Sequence, residues 1–193
     1  MKKIVVFCGS SIGFNPIYKE AAIELANSFI ANNISLVYGG GKIGMMGVIS
    51  ETMLAQNGEV IGVIPSLLEH EEVVNRNASQ IIVTKTMSER KVIMSQLIDG
   101  YITLPGGFGT LDELFESLTL GQLHIEQKPV GLLNVNGFFD YTLKQLDVMV
   151  DEGYLKSANR DLLIVDTTVS GLLEKMHLYK APEKVHVINK VVR

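Results

Sequence analysis

Tyr101-Ile102-Thr103-Leu104-Pro105-Gly106-Gly107-Phe108-Gly109-Thr110-Leu111-Asp112-Glu113 is the stretch on which the architecture turns. Four apolar or β-branched residues read as a buried strand. A proline and three glycines within four residues then break it, and an amphipathic helix is predicted from there to about Leu123. Strand, glycine-rich turn and helix in immediate succession form the unit of a parallel sheet. Three glycines at such a junction let backbone N–H groups converge on an anion, and the helix dipole adds to that attraction. A close-packed turn is the plainer reading, but it needs fewer glycines.

The same unit recurs on both sides. Predicted strands are Ile4–Phe7, Ser35–Tyr38, Val60–Ile64, Gln80–Val83, Val130–Asn134 and Leu162–Val165. Predicted helices run from Asn15-Pro16 (an N-cap and a first-turn proline) to about Asn32, from the Gly39–Gly44 turn to about Asn57, from Thr86 to Asp99, over Phe138–Glu152 and over Thr168–Tyr179. Residues 66–79 read as a polar loop or short helix. The tail 181–193 reads as uncertain, with Val185–Val192 able to pair as an edge strand. Continuous apolar strands separated by helices predict an α/β fold: a doubly wound, Rossmann-like parallel sheet with helices on both faces. Ligands of such folds bind at the carboxyl ends of the strands, near the point where strand order reverses. Gly9-Ser10-Ser11, Gly39–Gly44 and Pro105–Thr110 all fall at those ends.

Length and composition bound the function. The chain has 193 residues, 47% hydrophobic and 20% charged, which predicts one globular domain over 1–193. A net charge of −4 argues against a nucleic acid polymer as partner. A single cysteine, Cys8, excludes a disulfide framework and suits a reducing compartment. Lys2 and Lys3 precede only five apolar residues, against the roughly 7–15 of an export signal. A soluble, cytoplasmic protein with no membrane span is expected. His70, His124, His177 and His186 are scattered, so no metal is expected.

Several side chains carry chemistry. Gly39, Gly41 and Gly44 match the spacing of a dinucleotide fingerprint, but after the second strand rather than the first, and no acid ends the next strand. Gly40, Gly41 and Ser10 are nonetheless candidate ligand contacts, with a tight packed turn as the alternative. Thr110-Leu111-Asp112-Glu113 reads either as a capping box or as a carboxylate set beside a sugar whose phosphate lies in the loop. Arg90 and Lys91 stand in the first turn of the helix capped at Thr86, where cations oppose the helix dipole. They call for an anionic ligand or a buried carboxylate partner.

These residues carry a family resemblance. Pro105-Gly106-Gly107-Phe108-Gly109-Thr110-Leu111-Asp112-Glu113, the Arg90-Lys91 pair, Val37–Gly41, Gly44-Met45-Met46-Gly47 and Lys128–Val135 resemble segments of the LONELY GUY (LOG) family. Its members are cytokinin riboside 5′-monophosphate phosphoribohydrolases, long mislabelled as lysine decarboxylases. The resemblance spans roughly residues 3–155. It implies hydrolysis of the N-glycosidic bond of a nucleoside 5′-monophosphate (AMP or an N6-modified AMP) to free base and ribose 5-phosphate, without a cofactor. It places the catalytic pair on Arg90 and Glu113. Nucleotide contacts fall on Lys91, on Gly106, Gly107, Phe108, Gly109 and Thr110, and on Glu72 and Thr119. It also implies a homodimer, for which Met87–Ile98 and Leu114–Leu123 are candidate surfaces, with core packing an equal explanation of both. Phe108 replaces a frequent tyrosine, Asp112 a frequent glutamate, and Leu120 a tryptophan common in plant members.

Three other functions compete. A pyridoxal-phosphate decarboxylase of the usual kind has a lysine directly after a histidine, and no His-Lys pair occurs here. A nicotinamide-dependent oxidoreductase would have to use Gly39–Gly44. A non-catalytic nucleotide-binding or sensor protein needs the glycine loop but not Glu113.

Overall fold

The computed structural model describes residues 1–69 and 74–182. Among these residues, seven strands join one sheet: β1 (Lys3–Phe7), β2 (Ser35–Tyr38), β3 (Val60–Pro65), β4 (Gln80–Thr84), β5 (Gly100–Thr103), β6 (Val130–Leu133) and β7 (Leu163–Asp166). Their order is β4-β3-β2-β1-β5-β6-β7, and every pairing is parallel. Strand order therefore reverses between β1 and β5, where Val5 stands opposite Tyr101 and Phe7 opposite Thr103.

Both faces are covered, and the two-residue period of the strands sorts the core accordingly. Ile4, Val6, Leu36, Tyr38 and Ile102 point to one face. There they meet α1 (Pro16–Ala31), α2 (Gly44–Leu54) and α8 (Val169–Leu178). Val5, Phe7, Val37, Ile61, Tyr101 and Leu132 point to the other, against α4 (Met87–Leu97), α5 (Phe108–Gln122) and α6 (Asp140–Asp151). Residues buried from both sides explain why the central strands read as unbroken apolar runs.

Local chemistry fixes the helix starts. Asn15 caps α1 by accepting from the Ile17 amide at 3.1 Å, with Pro16 in the first turn. The Thr86 hydroxyl accepts from the Glu89 amide at 3.0 Å and starts α4. Glu89 reaches back one residue further than a capping box requires, to the Lys85 amide at 2.6 Å. The crossover through α4 carries the chain from β4 over β3, β2 and β1 to β5, so the first turn of α4 lies beside the end of β3.

The sequence expectations differ in detail. Residues 66–79 contain the short helix α3 (Ser66–Glu69) and an isolated bridge from Gly41 to Val74. A turn of 3-10 helix (Val135–Gly137) precedes α6. The four-residue α7 (Ser157–Arg160) was not expected, because one turn leaves no period to read. The edge strand considered for Val185–Val192 lies outside the described residues. Among the described residues, no helix is long and apolar enough to cross a membrane.

Candidate active site

Three glycine loops meet at the reversal point. The Gly9 amide donates to the Pro105 carbonyl at 3.1 Å, and the Met45 amide donates to the Gly9 carbonyl at 3.1 Å. The packing is close: a Cβ on Gly106 would stand 2.1 Å from the side-chain Oγ1 of Thr110 and 2.8 Å from the Gly9 backbone nitrogen. Gly107 and Gly109 are different. A Cβ on either meets nothing within 4 Å, and neither has a positive φ. No contact among the described residues requires glycine at these two positions, which leaves the space above them for a ligand. A cavity of about 300 Å³ adjoins this loop, lined by Ser10, Gly106, Gly107, Tyr18 and Phe138 among others.

Helix α5 starts at Phe108 with Gly107 as its N-cap, and no side chain caps it. The first-turn amides are thus left for an anion. This overturns the capping-box reading of Thr110 and Glu113. The glycines turn the chain into the helix three residues before Thr110, whose hydroxyl is packed beneath Gly106 instead. Glu113 sits a further turn along, where capping gives it no role. Phe108, at the first helical position, is almost fully exposed beside the loop.

Arg90 and Glu113 meet between α4 and α5. Arg90 Nη1 donates to Glu113 Oε1 at 3.1 Å, and Arg90 Nε donates to the Val63 carbonyl at 2.9 Å. Both side chains are largely buried, at 11% and 13% exposed. Burial pushes the Glu113 carboxyl above its ordinary range, more than Arg90 and Lys91 hold it down. A buried arginine fixed at two points is a directed charge rather than a surface ion. Gly39, at the end of β2, makes room for it: a Cβ there would lie 2.5 Å from Arg90 Nη2.

Lys91 is committed to the chain itself. Its Nζ lies 2.7 Å from Asp112 Oδ2 and 2.5 Å from Glu116 Oε2. Burial opposes its charge, but the two carboxylates outweigh burial and raise its pKa. The two cations of α4 therefore have carboxylate partners, one of the two expected explanations. Neither Asp112 nor Glu116 was singled out as part of the site. Their spacing, one helical turn apart in α5, was the available signal.

The remaining expected residues separate. Gly40 and Gly41 are buried and bonded within the chain: the Gly40 carbonyl accepts from the Asn75 amide at 2.8 Å, and Gly41 bridges to Val74. The packed-turn reading of this loop is the one their contacts support. Thr119 is exposed two turns beyond Glu113 and faces a separate cavity between α5 and the α6–α7 region. Glu72 lies outside the described residues. Cys8 is buried at the end of β1, and burial pushes its thiol up.

A third cavity, about 250 Å³, opens between α4 and α5 with Glu113 and Lys91 on its wall and Val92, Leu120, Ile125 and Tyr101 around it. Ser95 and Tyr101 donate to the Glu126 carboxylate at its edge, and Lys128 Nζ donates to the Ser95 carbonyl at 2.5 Å. Among the described residues, no group of three His, Cys, Asp or Glu side chains is placed to hold a metal ion.

The family model described as "Possible lysine decarboxylase" matches residues 46–176. The site does not suit the pyridoxal phosphate which that description brings to mind. A Schiff-base lysine must reach its neutral form, whereas Lys91 is held charged by two carboxylates. Two relatives are cytokinin riboside 5′-monophosphate phosphoribohydrolases of Arabidopsis thaliana. LOG5 is 41% identical over 93% of this chain and 78% of its own length. LOG1 is 43% identical over 92% of this chain and 84% of its own length. The molybdenum cofactor binding protein from Rippkaea orientalis shares the fold, with a TM-score of 0.69 at 22% identity over 92% of this chain and 97% of that one. The matched motifs, the fold and the extent of identity place this chain in the LOG family of cytokinin riboside 5′-monophosphate phosphoribohydrolases.

Proposed function

We propose that the protein hydrolyses the N-glycosidic bond of a nucleoside 5′-monophosphate, AMP or an N6-modified AMP, to free base and ribose 5-phosphate. The observation that carries this reading is the buried Arg90–Glu113 pair beside an uncapped, glycine-lined helix N-terminus. The 5′-phosphate binds the first amides of α5 over Gly107 and Gly109, that of Thr110 among them, with Ser10 at the edge of the cradle. Its binding energy holds the ribose against Glu113. The C1′–N bond breaks with its electron pair leaving on the base, and the sugar acquires oxocarbenium character. The ionised Glu113 faces that positive charge and takes a proton from the attacking water. The water oxygen becomes the new C1′ hydroxyl, the departing base takes up a proton from solvent, and Glu113 returns to solvent the proton it took from the water.

Arg90 has two effects. It keeps a buried carboxylate ionised, and its fixed positive charge stabilises the electron density that accumulates on the leaving base. Arginine retains its proton, so this contribution is electrostatic rather than general acid catalysis. The carboxyl raised by burial is a better base than an exposed one, because its proton affinity lies nearer the working pH.

Glu113→Gln tests the reading. The amide keeps the shape and the hydrogen bond from Arg90 but not the charge. Turnover is expected to fall about 10²–10⁴-fold. The melting temperature should change little and AMP should still bind. Base release at the unmodified rate would refute it and favour a nucleotide-binding or sensor protein.

A further inference from the structure

Lys91 stands next to the reacting pair, and a cation near a phosphate cradle invites assignment as a phosphate ligand. Its contacts favour a different task. The ammonium is held by Asp112 and Glu116, at 2.7 and 2.5 Å, and its side chain is 22% exposed. Both acids belong to α5 and flank Glu113, one adjacent in sequence and one three residues on. Without a neutralising charge they would place two carboxylates beside a buried third.

We propose that Lys91 is a positioning residue that acts through Glu113: it neutralises Asp112 and Glu116, ties α4 to α5, and so keeps the neighbouring carboxylate ionised and aligned with Arg90. The inference rests on the glycosidase reading above, because it assigns Glu113 a role that requires its charge. Two geometric facts support it. Lys91 is adjacent in α4 to Arg90, whose guanidinium bonds Glu113. The same two helices are therefore joined by three ion pairs made by two successive cations, with the positive members all on α4 and the negative members all on α5.

Among the described residues, the charged groups that act on Glu113 are Arg90 and Lys91 on α4 and Asp112 on α5, with Glu116 on α5 paired to Lys91 and the Cys8 thiol at the end of β1 also facing Glu113. The Cys8 thiol stays protonated because burial pushes it up, so it adds no charge. Burial and the Asp112 carboxylate push the Glu113 carboxyl up, and the arginine and lysine hold it down. Removing Lys91 therefore both deletes a cation and unmasks two anions. An account in which Lys91 grips phosphate makes no such connection to Asp112 or Glu116.

The experiment compares the full chain with Lys91→Met, with Lys91→Met/Asp112→Asn/Glu116→Gln and with Asp112→Asn/Glu116→Gln. The readouts are AMP KM, base release against pH, and the Glu113 carboxyl titration followed by ¹³C NMR. Lys91→Met is expected to move the acid limb of the rate profile upward by about one pH unit. The rate below the limb then falls about tenfold, because each unit is a tenfold change in ionised fraction. KM for AMP should change less than about threefold, since phosphate binding is not the function lost. The triple variant should bring the limb back toward its original position, because the anions that Lys91 masked are gone. The double variant should move it downward with KM unchanged, and it keeps the test open if Lys91→Met does not fold. A tenfold rise in KM with an unmoved limb, or a triple variant no better than Lys91→Met, would overturn the proposal. If the unmodified protein releases no base from any nucleotide, the glycosidase reading fails by itself. The NMR titrations of the same variants then still decide whether Lys91 controls Glu113.

Discussion

Gly39→Ala separates the site from the fold. The added Cβ would lie 2.5 Å from Arg90 Nη2 and 2.9 Å from Met46 Sδ, and the backbone there needs no positive φ. Alanine can therefore take the conformation, and the strain falls on its neighbours. The guanidinium must retreat by roughly 1 Å to regain ordinary contact. It is the far end of a flexible side chain, so the loss of stability should be at the low end for overpacking, about 1 kcal/mol. Its position, however, is what joins Val63 to Glu113. The Arg90–Glu113 hydrogen bond is 3.1 Å long, and a retreat of that size breaks it or pulls Glu113 with it. Misplacement by about 1 Å costs an active site about 10²-fold in rate. Base release from AMP, resolved by chromatography, and thermal melting measure the two effects on one preparation. The expected result is a protein with nearly its original melting temperature and about a hundredfold lower turnover. Turnover within twofold of the unmodified protein would refute the claim that the Arg90–Glu113 geometry carries the chemistry.

Gly109→Ala tests the phosphate cradle. A Cβ there meets nothing within 4 Å among the described residues and lies in the first turn of α5, so stability should rise by about 0.5 kcal/mol while KM for AMP rises at least about tenfold. Calorimetry and steady-state kinetics check it. Asp166→Asn tests the electrostatics of the fold away from the site. Lys175 and the Thr168 amide and hydroxyl hold the Asp166 carboxyl down from 3.8 to about 2. A lowered carboxyl pKa stabilises the folded state fully above the unfolded value and loses that contribution as pH falls through the folded one. The variant should be less stable by about 1 kcal/mol at pH 7, with the gap closing as pH falls from 4 toward 2 in denaturation curves.

The fold was legible because its signals are local and repeated. Unbroken apolar runs such as Ile4–Phe7 and Val60–Pro65 are what strands buried on both faces must look like. Asn15-Pro16 and Thr86 mark their helix starts by side-chain chemistry that the structure reproduces. Elements of one turn, such as Ser157–Arg160, carry no period and escaped. At the site, Arg90, Glu113 and the glycine loop were recognisable by residue type and by resemblance. Their relations were not. The Thr110–Glu113 spacing fits a capping box, and only the position of the helix start, set by Gly106 and Gly107, rules it out. The partners of Lys91 lie more than twenty residues away, across a strand and a turn, where sequence spacing gives no distance. Gly39 looked like part of a phosphate fingerprint, and its actual constraint is an arginine tip from a helix fifty residues on.

Product analysis on the unmodified protein tests the central claim most directly. A panel of nucleoside 5′-monophosphates and the matching nucleosides is incubated with the protein, and free base and ribose 5-phosphate are both quantified. The account predicts equal amounts of the two products from AMP or an N6-modified AMP, and a catalytic efficiency for adenosine lower by at least about 10²-fold, because the phosphate at α5 positions the sugar. Tight binding of AMP with no base released, or comparable efficiency on adenosine, would contradict it.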